Sequence, residues 1–346
     1  MHVAGNELER IVKGVLRAAG LRESTAGTVA HLTVRADLQG VTTHGVSRLS
    51  YFLARIDAGV MELDPDPMVS TDMLSTALLD ARNGWGQVAM TQAMEMAVDK
   101  ASRTGIGAVS VAHSNHFGVA GHYVELAACA GLIGVAMTNA SPAMAPYNAT
   151  ETFLGTNPIA FGIPTQDAPI VLDMSSSLVA KGKILRAQLE GATTIPVGWA
   201  YDKNGVPTTD PMAAMTGLLA PIGGAKGAGL ALAIDLLSGV LSGTALTGRV
   251  SSVVDLSRPS ETGHLAIAIN PEAFVGREQF TRDVSQVASR ISAMPAADGT
   301  TVLLPGELER KRTQAAAEAG IQLADDVATD LAQLADRFRV APLLVS

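Results

Sequence analysis

The apolar periodicity of this chain changes twice, and that limits its fold more than any other feature. Between residues 6 and 59 apolar residues recur at helical spacing. Leu8, Ile11, Val12, Val15 and Leu16 form one stripe, residues 25–35 carry a second helical pattern, and Leu49, Phe52, Leu53 and Ile56 form a third before Gly59. The segment 62–67 holds two prolines and reads as a linker. Short apolar runs then replace the long stripes: 75–81, 107–112, 133–139, 158–164, 169–175 and 264–270 are expected as strands. Helices are expected between them at 90–105, 119–131 and 228–246. From Arg277 the helical spacing returns, most clearly over 313–320 and 325–338. The predicted architecture is a mixed α/β body, residues 71–279, flanked by one discontinuous helical unit from both chain ends, residues 1–70 plus 280–346.

Composition narrows the function classes. With 346 residues and 47% apolar content the chain has ample core for two or three compact units. Aromatics are only 4%, while Gly is 34 and Met 13, so the core is expected to use aliphatic side chains and close backbone packing. Lys+Arg 25 against Asp+Glu 33 leaves a net charge of −8 without a basic run, so no nucleic-acid partner is expected. A lone cysteine, Cys129, makes neither an intrachain disulfide nor a cysteine zinc site. Charges at Glu7, Glu9, Arg10 and Lys13 interrupt any leader pattern, and Asp235 with several glycines marks 228–246 as a buried helix rather than a membrane span. A cytoplasmic location without membrane contact follows as the expectation.

Neither GxGxxG nor GxxxxGK[ST] occurs. Four constellations remain. GGAKGAG, 223–229, precedes an apolar helix, where it is either an anion cradle helped by Lys226 or a tight turn. THGVSR, 43–48, places His44 at a helix start and Arg48 four residues on, giving either a proton carrier beside a carboxylate fork or a capping segment. HSNHFGVAGHYVE, 113–125, holds His113, His116, His122 and Glu125, which are either metal ligands or satisfied polar groups. Asn157 and Asp173 interrupt apolar strand runs, as site residues or as structural hydrogen-bonding groups.

In this order and spacing the segments resemble the malate/L-lactate dehydrogenase family of the second type, which also holds sulfolactate, ureidoglycolate and 2,3-diketogulonate oxidoreductases and cyclic imino acid reductases. The matching stretches are THGVSRL (43–49), GQVAM (86–90), HSNHFGVAGHY (113–123), SPAMAP (141–146), GTNPIAFGIP (155–164), LDMSSS (172–177), VAKGKI (179–184), DKNGVPTTDP (202–211) and GGAKGAGLALAIDLLSGVLSG (223–243). The resemblance implies a non-Rossmann, L-sulfolactate dehydrogenase-like α/β fold, a homodimer, and NAD or NADP as cofactor with no metal. It assigns proton transfer to His44, with His116 as a second acid/base and Asp173 orienting the histidine. Arg48, Tyr51 and Asn157 are implied on the substrate carboxylic acid, and Met174, Ser175, Lys181, Ala225, Lys226, Gly306 and Glu307 on the cofactor. The chain departs from the family at Phe52, where many members have Tyr, at Tyr147–Ala149, where two glycines are lost, and at Ala225. The implied reaction is hydride transfer to C2 of a small 2-oxo acid, or reduction of a cyclic imine such as Δ1-piperideine-2-carboxylate, or oxidation of ureidoglycolate. Rivals from other classes are a metal-dependent hydrolase or lyase using His113, His116, His122 and Glu125, and a binding protein without turnover.

Overall fold

A mixed sheet of seven strands forms the centre, in the spatial order Met68–Asp72, Thr76–Asp80, Ile106–Ser114, Thr262–Ile269, Ile133–Thr138, Ile159–Ile163 and Ile170–Met174. The computed structural model describes residues 1–245 and 247–343. Only Thr76–Asp80 and Ile106–Ser114 run parallel, and the helix Gly86–Thr104 supplies the crossover such a pair needs. Its buried stripe is Met90, Ala93, Met94, Ala97 and Ala101, and Gly105 ends it with φ +86° in the left-handed region. With the helix Gly121–Cys129 it covers one face of the sheet.

The opposite face is covered by the helix Ala225–Asp235, which runs on into a π turn at Leu236–Val240. The expected buried helix over 228–246 is corrected here. Leu232, Leu236, Leu237, Val240 and Leu241 are between 42% and 58% exposed, because only the Ala231 and Ile234 side of the helix meets the sheet. Leu246, the last residue of that expectation, lies outside the described residues.

Both chain ends share one core. Leu8, Ile11, Val15, Val29, Phe52 and Leu53 pack with Ile321, Leu331 and Leu334. The strand His2–Val3 pairs with Ile321–Gln322, and the amino terminus donates to the Leu323 carbonyl at 3.1 Å. The helix Arg277–Ser292 buries no residue and is no part of that core. Residues 344–346 of the expected helical end lie outside the described residues. Sequence periodicity missed the edge strand Met68–Asp72, which is exposed along its whole length and so shows no alternation, and the small sheet of Ala200–Tyr201, Pro207–Thr208 and Leu218–Leu219, whose two-residue strands carry no period. Among the described residues no helix is long and apolar enough to cross a membrane.

Candidate active site

The segment carrying His44 and Arg48 is not a helix start. It forms two 3-10 turns, Thr42–His44 and Val46–Arg48, and the helix Leu49–Asp57 begins only afterwards. Gly45 breaks the register between the turns with ψ −149°. Short bonds knit the loop: Ser47 Oγ donates to the Thr42 carbonyl at 2.8 Å and Arg48 Nε to the Thr43 carbonyl at 2.6 Å. The Val46 N–H donates to Asp37 Oδ2 at 2.8 Å. Thr43 Oγ1 lies 2.9 Å from His44 Nδ1. The Arg48 guanidinium sits 5.9 Å from the ring centre of the exposed Tyr51. Burial pulls the Arg48 pKa below its ordinary value.

His116 comes to the same place from the far end of the strand Ile106–Ser114. Its ring centre is 5.1 Å from that of His44 and 6.1 Å from that of Phe52, which in turn meets Trp85 edge-on at 5.4 Å. His116 Nδ1 accepts from the Gly118 N–H at 3.1 Å, so its neutral form carries the proton on Nε2. Desolvation lowers both imidazole pKa values, His44 to about 4 and His116 well below the ordinary range, and Arg48 adds to both shifts. Two neutral imidazoles beside one guanidinium result.

The other histidines of 113–125 go elsewhere. His113 pairs with Asp80 at 3.2 Å on the surface, buried His122 bonds Gln39 Oε1 at 2.8 Å, and Glu125 pairs with Arg35. The metal-ligand reading of His113, His116, His122 and Glu125 is therefore corrected, and no group of three or more such residues converges among the described residues.

Asp173 stands on the last strand of the sheet and is exposed as a residue, but its carboxylate tip packs on the loop after His116. It accepts from the Gly121 N–H at 2.7 Å, and desolvation lifts its pKa to about 6. It was expected to orient a histidine; among the described residues its hydrogen bond goes to backbone and to neither imidazole. Asn157 is corrected as a substrate group. It is fully buried, accepts from the Ala140 N–H at 2.9 Å, and donates to the Ala231 carbonyl at 2.8 Å and to Asp235 Oδ2 at 3.1 Å.

Backbone pairings link several of the residues expected on the cofactor. Met174 and Ser175 lead into a bridge between Ser177 and Pro221, and the Ile222 N–H donates to the Ser176 carbonyl at 2.9 Å, shortly before Ala225 and Lys226. Gly223 and Gly224, with φ +61° and +63°, turn the chain into the helix at Ala225, whose first N–H groups have no side-chain cap. Those N–H groups and the exposed Lys226 fit an anionic phosphate. The Gly306–Glu307 turn lies against the Asp173 strand, because the Val171 N–H donates to the Pro305 carbonyl at 3.1 Å. Lys181 is exposed at the start of its helix, where Gly182 packs on Thr43 beside His44.

Sequence reading missed Asp37 and Thr43, which hold the loop that carries His44 and Arg48. The signal for Asp37 was its place one helical step past the Thr33 and Val34 stripe, on the face that becomes buried.

The profile of the malate/L-lactate dehydrogenase family matches residues 3–332. L-sulfolactate dehydrogenase of Methanocaldococcus jannaschii is 40% identical over 303 residues, 88% of each chain. A solved sulfolactate dehydrogenase from that organism superposes with TM-score 0.93 at 37% identity over 98% of each chain. The NAD(+)-linked ureidoglycolate dehydrogenase of Escherichia coli K12 is 37% identical over 94% of each chain. A solved Δ1-piperideine-2-carboxylate reductase from Pseudomonas syringae superposes with TM-score 0.87 at 27% identity, over 96% of this chain and 99% of that one.

Proposed function

The chain belongs to the malate/L-lactate dehydrogenase family and is an oxidoreductase, and on that premise we propose that it transfers a hydride between a nicotinamide cofactor and C2 of a small 2-hydroxy or 2-oxo carboxylic acid of the malate, lactate or sulfolactate kind. The observation that carries this reading is the meeting of His44, His116 and Arg48 at one place, with the imidazole centres 5.1 Å apart. When bound, the nicotinamide supplies or accepts the hydride. Met174, Ser175, Lys181, Ala225, Lys226, Gly306 and Glu307 would hold it, with the uncapped helix start at Ala225 taking a phosphate.

Arg48, partly withdrawn from water and steadied by the Thr43 carbonyl, grips the substrate carboxylate. The hydrogen bonds divide the labour of the two histidines. Protonating His116 on Nδ1 would set that N–H against the Gly118 N–H, so His116 stays neutral and offers Nε2–H to the substrate oxygen. His44 Nδ1 faces a threonine hydroxyl, which can donate or accept, so His44 suits either protonation state. His44 is therefore the acid in reduction and the base in oxidation. Phe52 adds an apolar ring beside His116 with no hydroxyl to offer.

The deciding experiment follows NADH and NADPH absorbance with pyruvate, oxaloacetate, sulfopyruvate, 2,3-diketogulonate and Δ1-piperideine-2-carboxylate, with ureidoglycolate oxidised in reverse. Turnover of an oxo acid is the expected result. Turnover of the cyclic imine alone moves the substrate to the reading that the Pseudomonas syringae likeness favours. Lys181, Lys183 and Arg186, the last paired with Glu190 at 2.7 Å, are the basic groups we propose for a 2′-phosphate, so the NADPH arm is read against the NADH arm. The working unit is proposed to be a homodimer in the cytoplasm, joined through the exposed leucine face of the helix 225–240.

A further inference from the structure

The geometry points to Asp37 as a positioning residue for the substrate-gripping loop: its buried carboxylate, held on the Val46 N–H and laid against the bare Cα of Gly45, sets where His44 and Arg48 stand. This inference rests on the reading of that loop given above.

Asp37 sits in the last turn of the helix Glu23–Leu38 and is only 6% exposed. Among the described residues its carboxylate accepts one hydrogen bond, from the Val46 N–H at 2.8 Å. No charged side chain pairs with it among the described residues, so the carboxylate is buried at a cost that a salt bridge does not offset. Desolvation raises its pKa to about 7. The carboxylate also lies flat on Gly45, where an added Cβ would overlap Oδ1, Cγ and Oδ2 together. Asp37 and Gly45 thus interlock as well as bond through the neighbouring N–H.

The Ser47 to Thr42 and Arg48 to Thr43 bonds are internal and preserve the shape of the loop. The Val46 side chain seats the loop in the helical core, and the Asp37 carboxylate ties its backbone to a helix that is itself anchored twice. Ala26, Val29, Ala30 and Val34 are buried in the helical core. On the other side Arg35 pairs with Glu125 and Gln39 bonds His122, both on the helix Gly121–Cys129 that follows His116. Through Asp37, the position of His44 and Arg48 is therefore referred to the same helix that follows the second histidine.

The test compares Asp37→Ala, Asp37→Asn, Gly45→Ala and the double variant Asp37→Ala/Gly45→Ala in the intact protein. Asp37→Ala is expected to raise the oxo-acid KM by on the order of 10- to 100-fold, while the nicotinamide Kd, read by fluorescence titration, stays unchanged. Asp37→Asn keeps an acceptor for Val46 and restores most of the loss. Gly45→Ala is as damaging as Asp37→Ala in the native background and adds little in the Asp37→Ala background, where its clash has gone. Amide hydrogen exchange gives a readout free of turnover: the Val46 N–H loses protection in Asp37→Ala and keeps it in Asp37→Asn. A folded Asp37→Ala with unchanged oxo-acid KM, or with KM and nicotinamide Kd weakened alike, overturns the inference. If Asp37→Ala does not fold, Gly45→Ala carries the same KM-against-Kd comparison. If the native protein turns over no oxo acid or imine, the functional reading has failed. Asp37 is then judged by exchange alone, and an unaltered Val46 amide overturns it.

Discussion

The imidazoles of His44 and His116 face each other with ring centres 5.1 Å apart and planes tilted by 35°. They arrive on separate elements, one on a loop leaving the helical end, the other beyond a strand of the central sheet. Their Nδ1 partners differ, a hydroxyl for His44 and a backbone N–H for His116, and the proposed division of roles rests on that difference.

The first prediction separates the pair. His44→Ala is expected to lower kcat by on the order of 10²–10⁴, the loss of a general acid. His116→Ala removes a neutral hydrogen bond and is expected to cost about 1–3 kcal/mol. Steady-state kinetics of both variants checks this, and a larger loss at His116 reverses the assignment.

A second concerns pH. Burial and Arg48 depress the His44 pKa to about 4, so the free enzyme carries the base form across the neutral range. Oxidation of the hydroxy acid needs that form. Its kcat/KM is expected to stay level as pH falls through 6.5 and to decline only on approach to the depressed value. An inflection at or above 6.5 in the kcat/KM profile speaks against this.

Arg48 is expected to act on binding. Arg48→Ala removes a charge-assisted hydrogen bond of about 1.5–3 kcal/mol. The oxo-acid KM should rise accordingly while nicotinamide affinity holds. Equal weakening of both ligands in titration would place Arg48 outside the carboxylate site.

Asp37 gives a prediction on stability. Its folded-state pKa, about 7, lies above the ordinary 3.8, so the folded chain holds that proton more tightly than the unfolded chain. The contribution is fully present below about 4 and is lost as pH rises through about 7. Asp37→Asn has no such group. Between pH 5 and pH 8 the native protein should therefore lose a few kcal/mol relative to Asp37→Asn. Urea unfolding of both proteins at the two pH values measures it, and parallel behaviour contradicts it.

The exposed leucine face bears on assembly. Leu237 and Leu241 are 42% and 58% exposed, and contiguous apolar patches of this kind mark interaction surfaces. Leu237→Glu combined with Leu241→Glu is expected to shift sedimentation from dimer to monomer. A native protein that sediments as a monomer at all concentrations removes the proposal.

Much of the fold was legible along the chain. The spacing of Met90, Ala93, Met94, Ala97 and Ala101 marked the crossover helix, and the run around Leu172 marked the last strand, because these patterns depend on neighbours a few residues away. The order and spacing of nine stretches, those around His44, His116 and Gly223 among them, indicated the family. Pairwise geometry was not legible. The spacing of 43–48 suited a helix, yet Gly45 splits it into two turns so that Asp37 can reach Val46. His113, His116 and His122 look like one cluster in the sequence and point to three different surroundings in the fold, since a strand end, a loop and a helix redirect the chain between them. Asn157 read as a polar site residue, and only its partners, Ala140, Ala231 and Asp235, identify it as a buried strut.

By itself, then, the sequence determined the longer periodic elements, their order and the chemistry available, because periodicity and residue type act locally. The tertiary structure alone decided which of those groups meet. His44 and His116, and likewise Asp173 and Gly121, are brought together by sheet pairing and helix packing across long stretches of chain. The same packing left the leucine face of the helix 225–240 uncovered, because whether a side is buried depends on what the rest of the chain places against it.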